Sequence, residues 1–376
     1  SGCRPARRAL LDLAPWLEFD RVNGPLMGGS VGVGSRFRSG VVTAKLAYGS
    51  GPNRWFGGGG YQKVWRRRGR DHRWTVSGFA GRGTDVLDLD RRRQLYYSLS
   101  AFLTGDDRSH YLQRDGVRVA LEREGAAMKL RLAWRDQIES PRATTATWNL
   151  YRTTPAVIEN FQASLGRTVE WQALLSGRPV RAPLWVELDG RAAARVAGGD
   201  FDYRRLRAVV GADLAIGRMA SLLPQLTYGR LDGDLTPQSG FWLGGPRSLR
   251  SLPSYGLAGR NTALGRAELI SARDVLSTVG VPHPAWLDLQ PGLFVASGAV
   301  WGEDPFGGPT RRGGGWPGRE LWLSEAGASL LYRPGIPDPE GYFRITYARP
   351  LGANDDGARL SVSYSIALDQ LRGAER

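Results

Sequence analysis

The sequence predicts an all-β protein, a transmembrane antiparallel β-barrel of about sixteen strands. Three observations predict it: apolar and charged residues alternate along most of the chain, glycine-rich turns separate the alternating segments, and aromatic residues are abundant. The 376 residues include 51 glycines, 13 tryptophans and 13 tyrosines, a composition typical of crowded, curved β structure.

The predicted strands follow one another as hairpins, after an irregular basic lead-in over residues 1–15. They lie at 16–22, 27–37, 41–48, 54–65, 117–122, 128–135, 168–175, 184–197, 203–216, 221–228, 264–273, 286–301, 320–332, 342–348 and 359–369. One short helix is predicted near 155–164. Since no linker divides the chain, residues 16–369 are expected to form a single barrel, followed by a tail over 370–376.

The alternation is clearest where Val117, Val119 and Leu121 interleave with Arg118 and Glu122. A soluble β-sandwich also alternates, but strands that carry charges on the second face along the whole chain suit a barrel with lipid outside and a polar interior. No run of about 18 apolar residues is present, which excludes a helical membrane span.

The last strand alternates most regularly, over residues 360–368, and closing it against the first strand would remove the open edges that lipid does not tolerate. Five tryptophans near strand ends fit an interfacial girdle, or else the core of a soluble β fold. They are Trp16, Trp65, Trp286, Trp301 and Trp322.

The net charge is +15, and only three of the 51 basic residues, Lys45, Lys63 and Lys129, are lysines. The arginines are spread along the strands without a recognition motif, so no nucleic-acid partner is expected. An arginine-favouring genome accounts for them, or an attraction to anionic lipid headgroups or to anions in the lumen.

Neither an enzyme, a cofactor nor a metal site is expected. Ser30, within 28–32, matches the Gly-x-Ser-x-Gly pattern of a nucleophile elbow, but another strand follows where a helix is required. Residues 57–60 are better explained by close packing than by phosphate binding. The single Cys3 rules out an intramolecular disulfide. Three isolated histidines beside turns are expected to be solvated: His72, His110 and His283.

The segment Phe-Trp-Leu-Gly-Gly-Pro-Arg-Ser-Leu-Arg, residues 241–250, resembles the sixth extracellular loop of the BamA/TamA outer-membrane barrel superfamily. That family's pattern is Phe-x-Leu-Gly-Gly, a short spacer, then Val-Arg-Gly-Phe/Tyr, and the resemblance covers residues 16–369. It implies that the loop near 231–262 folds into the lumen. The residues of the implied docking motif are Phe241, Leu243, Gly244, Gly245, Arg250 and Ser251.

In that family the loop arginine pairs with inward carboxylates. This chain departs from the pattern at three positions, because Ser251 replaces a glycine and both Ala296 and Thr346 replace aspartates. Two expected partners of Arg250 are therefore missing.

Glu268 or Glu325 is expected to take their place, since both lie on strands that follow the loop. The alternative is a loosely docked loop with a solvated Arg250.

The resemblance implies a role in the insertion or translocation of proteins at a bacterial outer membrane, through an openable seam between the first and last strands. The implied partners are the lipid bilayer with its anionic lipids, unfolded outer-membrane proteins and an upstream periplasmic POTRA region that is not in this chain. The alternative is a passive, anion-favouring pore or a structural membrane anchor.

Overall fold

In a computed structural model, the structure describes residues 10–35, 40–66, 72–87, 94–104, 107, 109–151, 159–179, 183–284, 286–311, 315–332, 341–352 and 357–366. Its strands are β1 Leu10–Asp20, β2 Gly24–Ser35, β3 Gly40–Gly49, β4 Arg54–Arg66, β5 Arg73–Val86, β6 Tyr111–Glu124, β7 Met128–Pro141, β8 Gly166–Gly177, β9 Leu184–Ala193, β10 Tyr203–Ala212, β11 Leu214–Ile216, β12 Ala220–Gly233, β13 Phe241–Leu243, β14 Leu257–Gly259, β15 Asn261–Ser271, β16 Leu289–Trp301, β17 Leu323–Tyr332, β18 Gly341–Leu351 and β19 Arg359–Ile366. The helices are α1 Gln94–Thr104 and α2 Val275–Thr278, with 3₁₀ turns at Arg195–Ala197 and Arg319–Leu321. No helix in these ranges is both long and apolar enough to cross a membrane.

The chain divides into two compact units: the first unit is residues 1–173 with 192–202, and the second unit is residues 174–191 with 203–376. In the first unit, each strand from β1 to β7 pairs antiparallel with the next. In the second unit, β12, β15, β16, β17, β18 and β19 pair in that order. Antiparallel pairing lets strands that follow one another in the chain lie side by side in the sheet, whether the connection between them is a short turn or a long loop.

The strand count agrees with the sequence prediction. Strands β10 and β11 both pair with β12, at consecutive stretches, and are one interrupted strand. The small pair β13–β14 forms a separate sheet. Among the described residues this leaves sixteen strands, against about sixteen expected, and β5 is the strand that has no counterpart among the segments assigned from the sequence.

Several strand boundaries differ from the predictions, among them those of the first and last strands. The first strand begins at Leu10, so residues 10–15 are not an irregular lead-in. They pair with Gly34 to Gly29 of β2, and this pairing cannot be seen in the local pattern of residues 10–15 themselves. The last strand continues to Ile366, and the predicted residues 367–369 and the tail over 370–376 lie outside the described residues.

The helix predicted near 155–164 is wrong for residues 159–164, which are irregular, and residues 155–158 lie outside the described ranges. The reason lies at Asn160, whose side chain forms hydrogen bonds with the backbone of Tyr111 and Arg142 and so ties the segment to neighbouring chain instead of to a helix. The longest helix is instead α1, between β5 and β6.

The sheet of the first unit turns its apolar side chains outward. On β6, Val117, Val119 and Leu121 are exposed, whereas Ala120 is buried and Arg118 is half-buried. A soluble sandwich would show the opposite polarity, so this face is built for an apolar surrounding.

The second unit shows the same inversion. Leu293 and Val295 on β16 are 61% and 55% exposed, while Arg344 and Thr346 on β18 are 4% and 2% exposed. At these positions the buried side chains are charged or carry a hydroxyl, and the exposed side chains are aliphatic.

Glycines let neighbouring strands of the first unit approach closely. A Cβ atom on Gly28 would lie 2.0 Å from the carbonyl oxygen of Leu46, and one on Gly81 would lie 2.3 Å from that of Gly57. Glycine at position 57 is therefore explained by the close packing of neighbouring strands.

Candidate functional site

The loop between β12 and β15, residues 234–260, is packed against the inner face of the second unit. Its hairpin β13–β14 brings Phe241 opposite Gly259. Leu243 and Leu249 of the loop are buried in one cluster with Leu264 of β15 and Val300 of β16. Apolar loop residues thus hold the loop on the wall.

Two glycines shape the loop where the hairpin ends. Gly244 and Gly245 have φ angles of +118° and +94°, which residues with a side chain rarely adopt. The amide of Gly245 donates to the carbonyl of Leu249 at 2.9 Å. A Cβ atom on Gly244 would lie 2.1 Å from the carbonyl oxygen of Pro253, so this close approach requires glycine.

The loop arginine, Arg250, is buried against the wall. Its Nη2 donates to Glu268 Oε2 at 3.0 Å and its Nη1 donates to Glu268 Oε1 at 3.4 Å. Its guanidinium also lies 4.2 Å from the ring centroid of Phe294. With Arg250 only 5% exposed and Glu268 2% exposed, the side chain is not solvated.

Glu325 holds the loop through its backbone. Its Oε1 accepts from the amide of Arg250 at 2.8 Å, and its Oε2 accepts from the amide of Ser251 at 2.6 Å. Ser251 has no positive φ angle, so this position needs an N–H group and does not need a glycine.

Arg344, which the sequence reasoning did not identify as a partner, completes the site. Its Nη1 donates to Glu268 Oε1, to which the Ser329 hydroxyl also donates at 3.4 Å. One carboxylate therefore binds two guanidinium groups. Alternation along β18 sets Arg344 on the opposite face from Ile345, but its residue type does not distinguish it from the many other arginines.

Polar residues lie next to the two positions, 296 and 346, where the resembled pattern has aspartates. Ala296 pairs directly with Glu325 across β16 and β17, so a carboxylate lies one strand away from position 296. Thr346 is buried and pairs with Ser329, a member of the Glu268 network. We call the group Arg250, Glu268, Glu325 and Arg344 the docking network.

A second buried polar cluster lies in the first unit, where the turn after β1 meets the segment before β6. The Arg21 side chain donates to the backbone carbonyls of Asp107 and Ser109 at 3.0 and 2.7 Å. The Asp107 carboxylate accepts from the amides of Arg21 and Ser109 and from the Tyr111 hydroxyl, at 2.9 to 3.1 Å.

The expectation of a solvated His110 is wrong, because His110 belongs to this cluster and is buried. Burial, followed by the positive charge of Arg21, lowers the pKa of His110 to about 4. The neutral ring can then accept from Arg21 Nη2, 3.3 Å from its Nδ1. Burial raises the pKa of Asp107, against the hydrogen bonds that it accepts.

We expect Asp107→Ala to loosen the segment that contains α1, because three buried donors lose their acceptor, at about 1–3 kcal/mol each. Proteinase K digestion of the folded protein should then cut within residues 94–110. The matched control is Asp304→Ala, since Asp304 accepts from one exposed loop amide, that of Phe306. Equal cleavage in both variants would contradict this role of Asp107.

The other candidates do not assemble into a site. Ser30 lies within β2, in extended backbone, and its hydroxyl donates to the carbonyl of Ala14 at 3.3 Å. The expectation of isolated, solvated histidines is also wrong for His283, whose Nε2 lies 3.1 Å from Asp274 Oδ2, and for His72, which is half-buried. Within the described ranges, no group of three acidic, histidine or cysteine residues is placed to hold a metal ion.

No protein-family model matches this chain, and no curated protein matches it. Among solved structures, it is similar to BamA from Haemophilus ducreyi lacking POTRA domains 1–3, with 11% identity and a TM-score of 0.53, over 95% of this chain and 70% of that one. It is also similar to CdiB from Escherichia coli, with 12% identity and a TM-score of 0.48, over 96% and 67%. OccK10 from Pseudomonas aeruginosa gives 15% identity and a TM-score of 0.37, over 94% and 98%.

The likeness to the BamA barrel concerns the fold alone, given its low sequence identity. It confirms the fold class predicted from the sequence, an all-β antiparallel barrel of the membrane-spanning type. The other two likenesses, with TM-scores below 0.5, carry no argument about function.

Proposed function

We propose that this chain is the membrane-embedded barrel of a BamA/TamA-type protein in a bacterial outer membrane, and that it assists the insertion or translocation of other proteins. The observation that carries the proposal is the docked loop: a sequence resembling that family's loop motif is held on the inner wall by the buried docking network. The fold and the outward apolar face support the membrane location.

The docking network connects some strands of the second unit and not others. Its members lie on the loop, β15, β17 and β18, so these strands are braced together, and β19 contributes no member among the described contacts. Strand β19 pairs with β18 through backbone bonds along residues 359–366. Strand β19 is therefore less braced by the docking network than β15, β17 and β18, and we propose that an incoming strand pairs along it.

The experiment is a folding assay in liposomes that carry the purified barrel. A denatured outer-membrane barrel is added, and its folding is followed by the gel shift between boiled and unboiled samples. We expect faster folding than with empty liposomes, and a loss of the acceleration in Glu268→Ala, whose loop is released. The matched control Glu303→Ala removes an exposed partner of Arg260 and should keep the acceleration. A wild-type rate equal to that of empty liposomes contradicts the proposal.

A passive, anion-favouring pore is the second candidate. It is favoured by the net charge of the chain, +15, which would attract anions to a conducting lumen. Steady single-channel current with anion preference, together with no acceleration of folding, would favour the pore.

A further inference from the structure

We propose that the connection between β16 and β17 binds the headgroup–acyl boundary of the bilayer through Trp316. We call its described residues, 302–311 and 315–322, the rim loop. The inference rests on the proposed membrane location, and it adds a defined lipid-contacting element that the strand pattern alone does not contain.

The part of the rim loop around Trp316 lies at the outward face of the sheet. On β12, Leu226 is 68% exposed, and Tyr228 is two residues further along on the same face. On β16, the exposed Leu293 and Val295 share their face with Trp301, since side chains of a strand alternate. Tyr228 and Trp301 pack in one cluster, which places that cluster at the loop end of the apolar face.

The rim loop folds back onto this cluster. Trp316 stacks on Tyr228 with ring centroids 6.4 Å apart and planes 6° apart, and its ring lies 6.2 Å from that of Trp301 and 5.8 Å from that of Trp322. The Trp301 indole N–H donates to the carbonyl of Gly315 at 3.1 Å, which fixes the backbone beside Trp316.

Exposure divides the cluster into two layers. Trp301 is completely buried beneath the loop, whereas Trp316 is 65% exposed. The rim loop therefore covers one indole and presents another to whatever adjoins the apolar face. Arg319 and Glu320 next to it are exposed and charged, and would keep the loop out of the hydrocarbon.

The opposite end of the same face carries a second aromatic level. Tyr332 and Phe343 stack with ring centroids 6.4 Å apart, where β17 ends and β18 begins. The 13 residues of β16 between the two levels extend roughly 40 Å at about 3.4 Å per residue, or roughly 30 Å across a membrane at a tilt of about 40°. This matches a hydrocarbon core of about 30 Å.

The occupant of this surface is a lipid bilayer, because the aromatic cluster is continuous with an apolar face that runs across β12, β16 and β18. Indole rings at the end of such a face suit the interface, where one edge of the ring is apolar and its N–H is wet.

The first unit repeats the arrangement. Phe19 of β1, on the same face as the exposed Leu17, is covered by Phe102 of α1 at 5.5 Å and by Trp148 at 5.1 Å. Trp148 is itself half exposed. An aromatic residue in a connecting segment thus covers a strand-end aromatic residue in both units.

The test measures the depth of a fluorophore in liposomes. In a Cys3→Ser background, Gly315→Cys is labelled with bimane; a Cβ atom there meets no other atom within 4 Å, and Trp316 is kept. Two reference labels are Leu293→Cys on the apolar face and Val196→Cys, at a residue that is 98% exposed in a loop. Quenching is measured with nitroxide lipids labelled at the headgroup or in mid-chain, and with aqueous iodide.

We expect position 315 to be quenched at least twofold more by the headgroup nitroxide than by the mid-chain nitroxide. Adding Trp316→Ala should abolish that preference and raise iodide quenching. The matched control Phe306→Ala, which removes a rim-loop ring that contacts Trp242 and not Trp301, should leave it unchanged.

The reference labels distinguish a failure of the rim-loop inference from a failure of the proposed membrane location. If position 315 behaves like position 196 while position 293 is quenched in mid-chain, the rim-loop inference is overturned and the membrane location stands. If position 293 is not quenched by either lipid, the membrane location itself fails, and the inference fails with it.

Discussion

Glu268→Ala is expected to destabilise the second unit by about 3–5 kcal/mol, the cost of leaving buried charge without its partner. The carboxylate binds both Arg250 and Arg344, so its removal leaves two buried guanidinium groups unpaired. Arg250→Ala should cost less, because Glu268 then keeps Arg344 and Glu325 keeps the backbone amide of Ser251. The measurements are the temperature of the gel shift and proteinase K cleavage within residues 234–260.

The matched control for this comparison is again Glu303→Ala. The Glu303 side chain is 59% exposed in its pair with Arg260, and an exposed ion pair contributes about 0–1 kcal/mol. A Glu268→Ala protein as stable as the Glu303→Ala protein, or more stable than the Arg250→Ala protein, would show that the loop is not held by this carboxylate.

Gly244→Ala is expected to release the loop while leaving every charged group of the docking network in place. The added Cβ atom would lie 2.1 Å from the carbonyl oxygen of Pro253, a backbone atom that cannot rotate away, at a φ angle of +118°. We expect a loss above about 2 kcal/mol, since strain at a positive φ angle alone costs of order 1–3 kcal/mol. Proteinase K should cleave the loop, and folding acceleration should fall as in Glu268→Ala.

Gly307→Ala is the control that introduces the strain of a positive φ angle without a steric clash. Gly307 has a φ angle of +75°, but a Cβ atom there meets nothing within 4 Å. Its cost should stay near 1 kcal/mol, with the loop protected. If Gly244→Ala also leaves the loop protected, the close approach to Pro253 does not determine docking.

The fold was predictable because alternation and turns are local signals. The period of two assigned most strands, and inversion of polarity on β6 and β16 followed from charges that persist along the whole chain. The start of β1 was missed because its first residues, Leu10 to Pro15, are defined by pairing with β2 rather than by their own pattern.

The site was predictable in part. The loop motif and the inward carboxylates pointed to Arg250, Glu268 and Glu325 as partners. They did not show that Glu268 binds the side chain of Arg250 whereas Glu325 binds backbone amides, because any residue type can donate a backbone amide. Nor did Arg344 stand out among so many arginines.

The cluster around Arg21 could not be predicted from the sequence. Arg21 and Asp107 are 86 residues apart, so only the folded chain brings them together. The prediction of a solvated His110 was wrong for the same reason, since burial there comes from segments distant in sequence.

The docked loop acts as a ligand tethered at both ends to its own receptor. Its hairpin β13–β14 keeps the ends of the recognised segment together, and a short tether gives an effective concentration in the millimolar range. A free peptide with the sequence of residues 241–259 would compete poorly at any ordinary concentration. Release of the loop must therefore come from a change in the receptor, such as a strand movement that separates Glu268 from Glu325, and not from displacement by a rival segment.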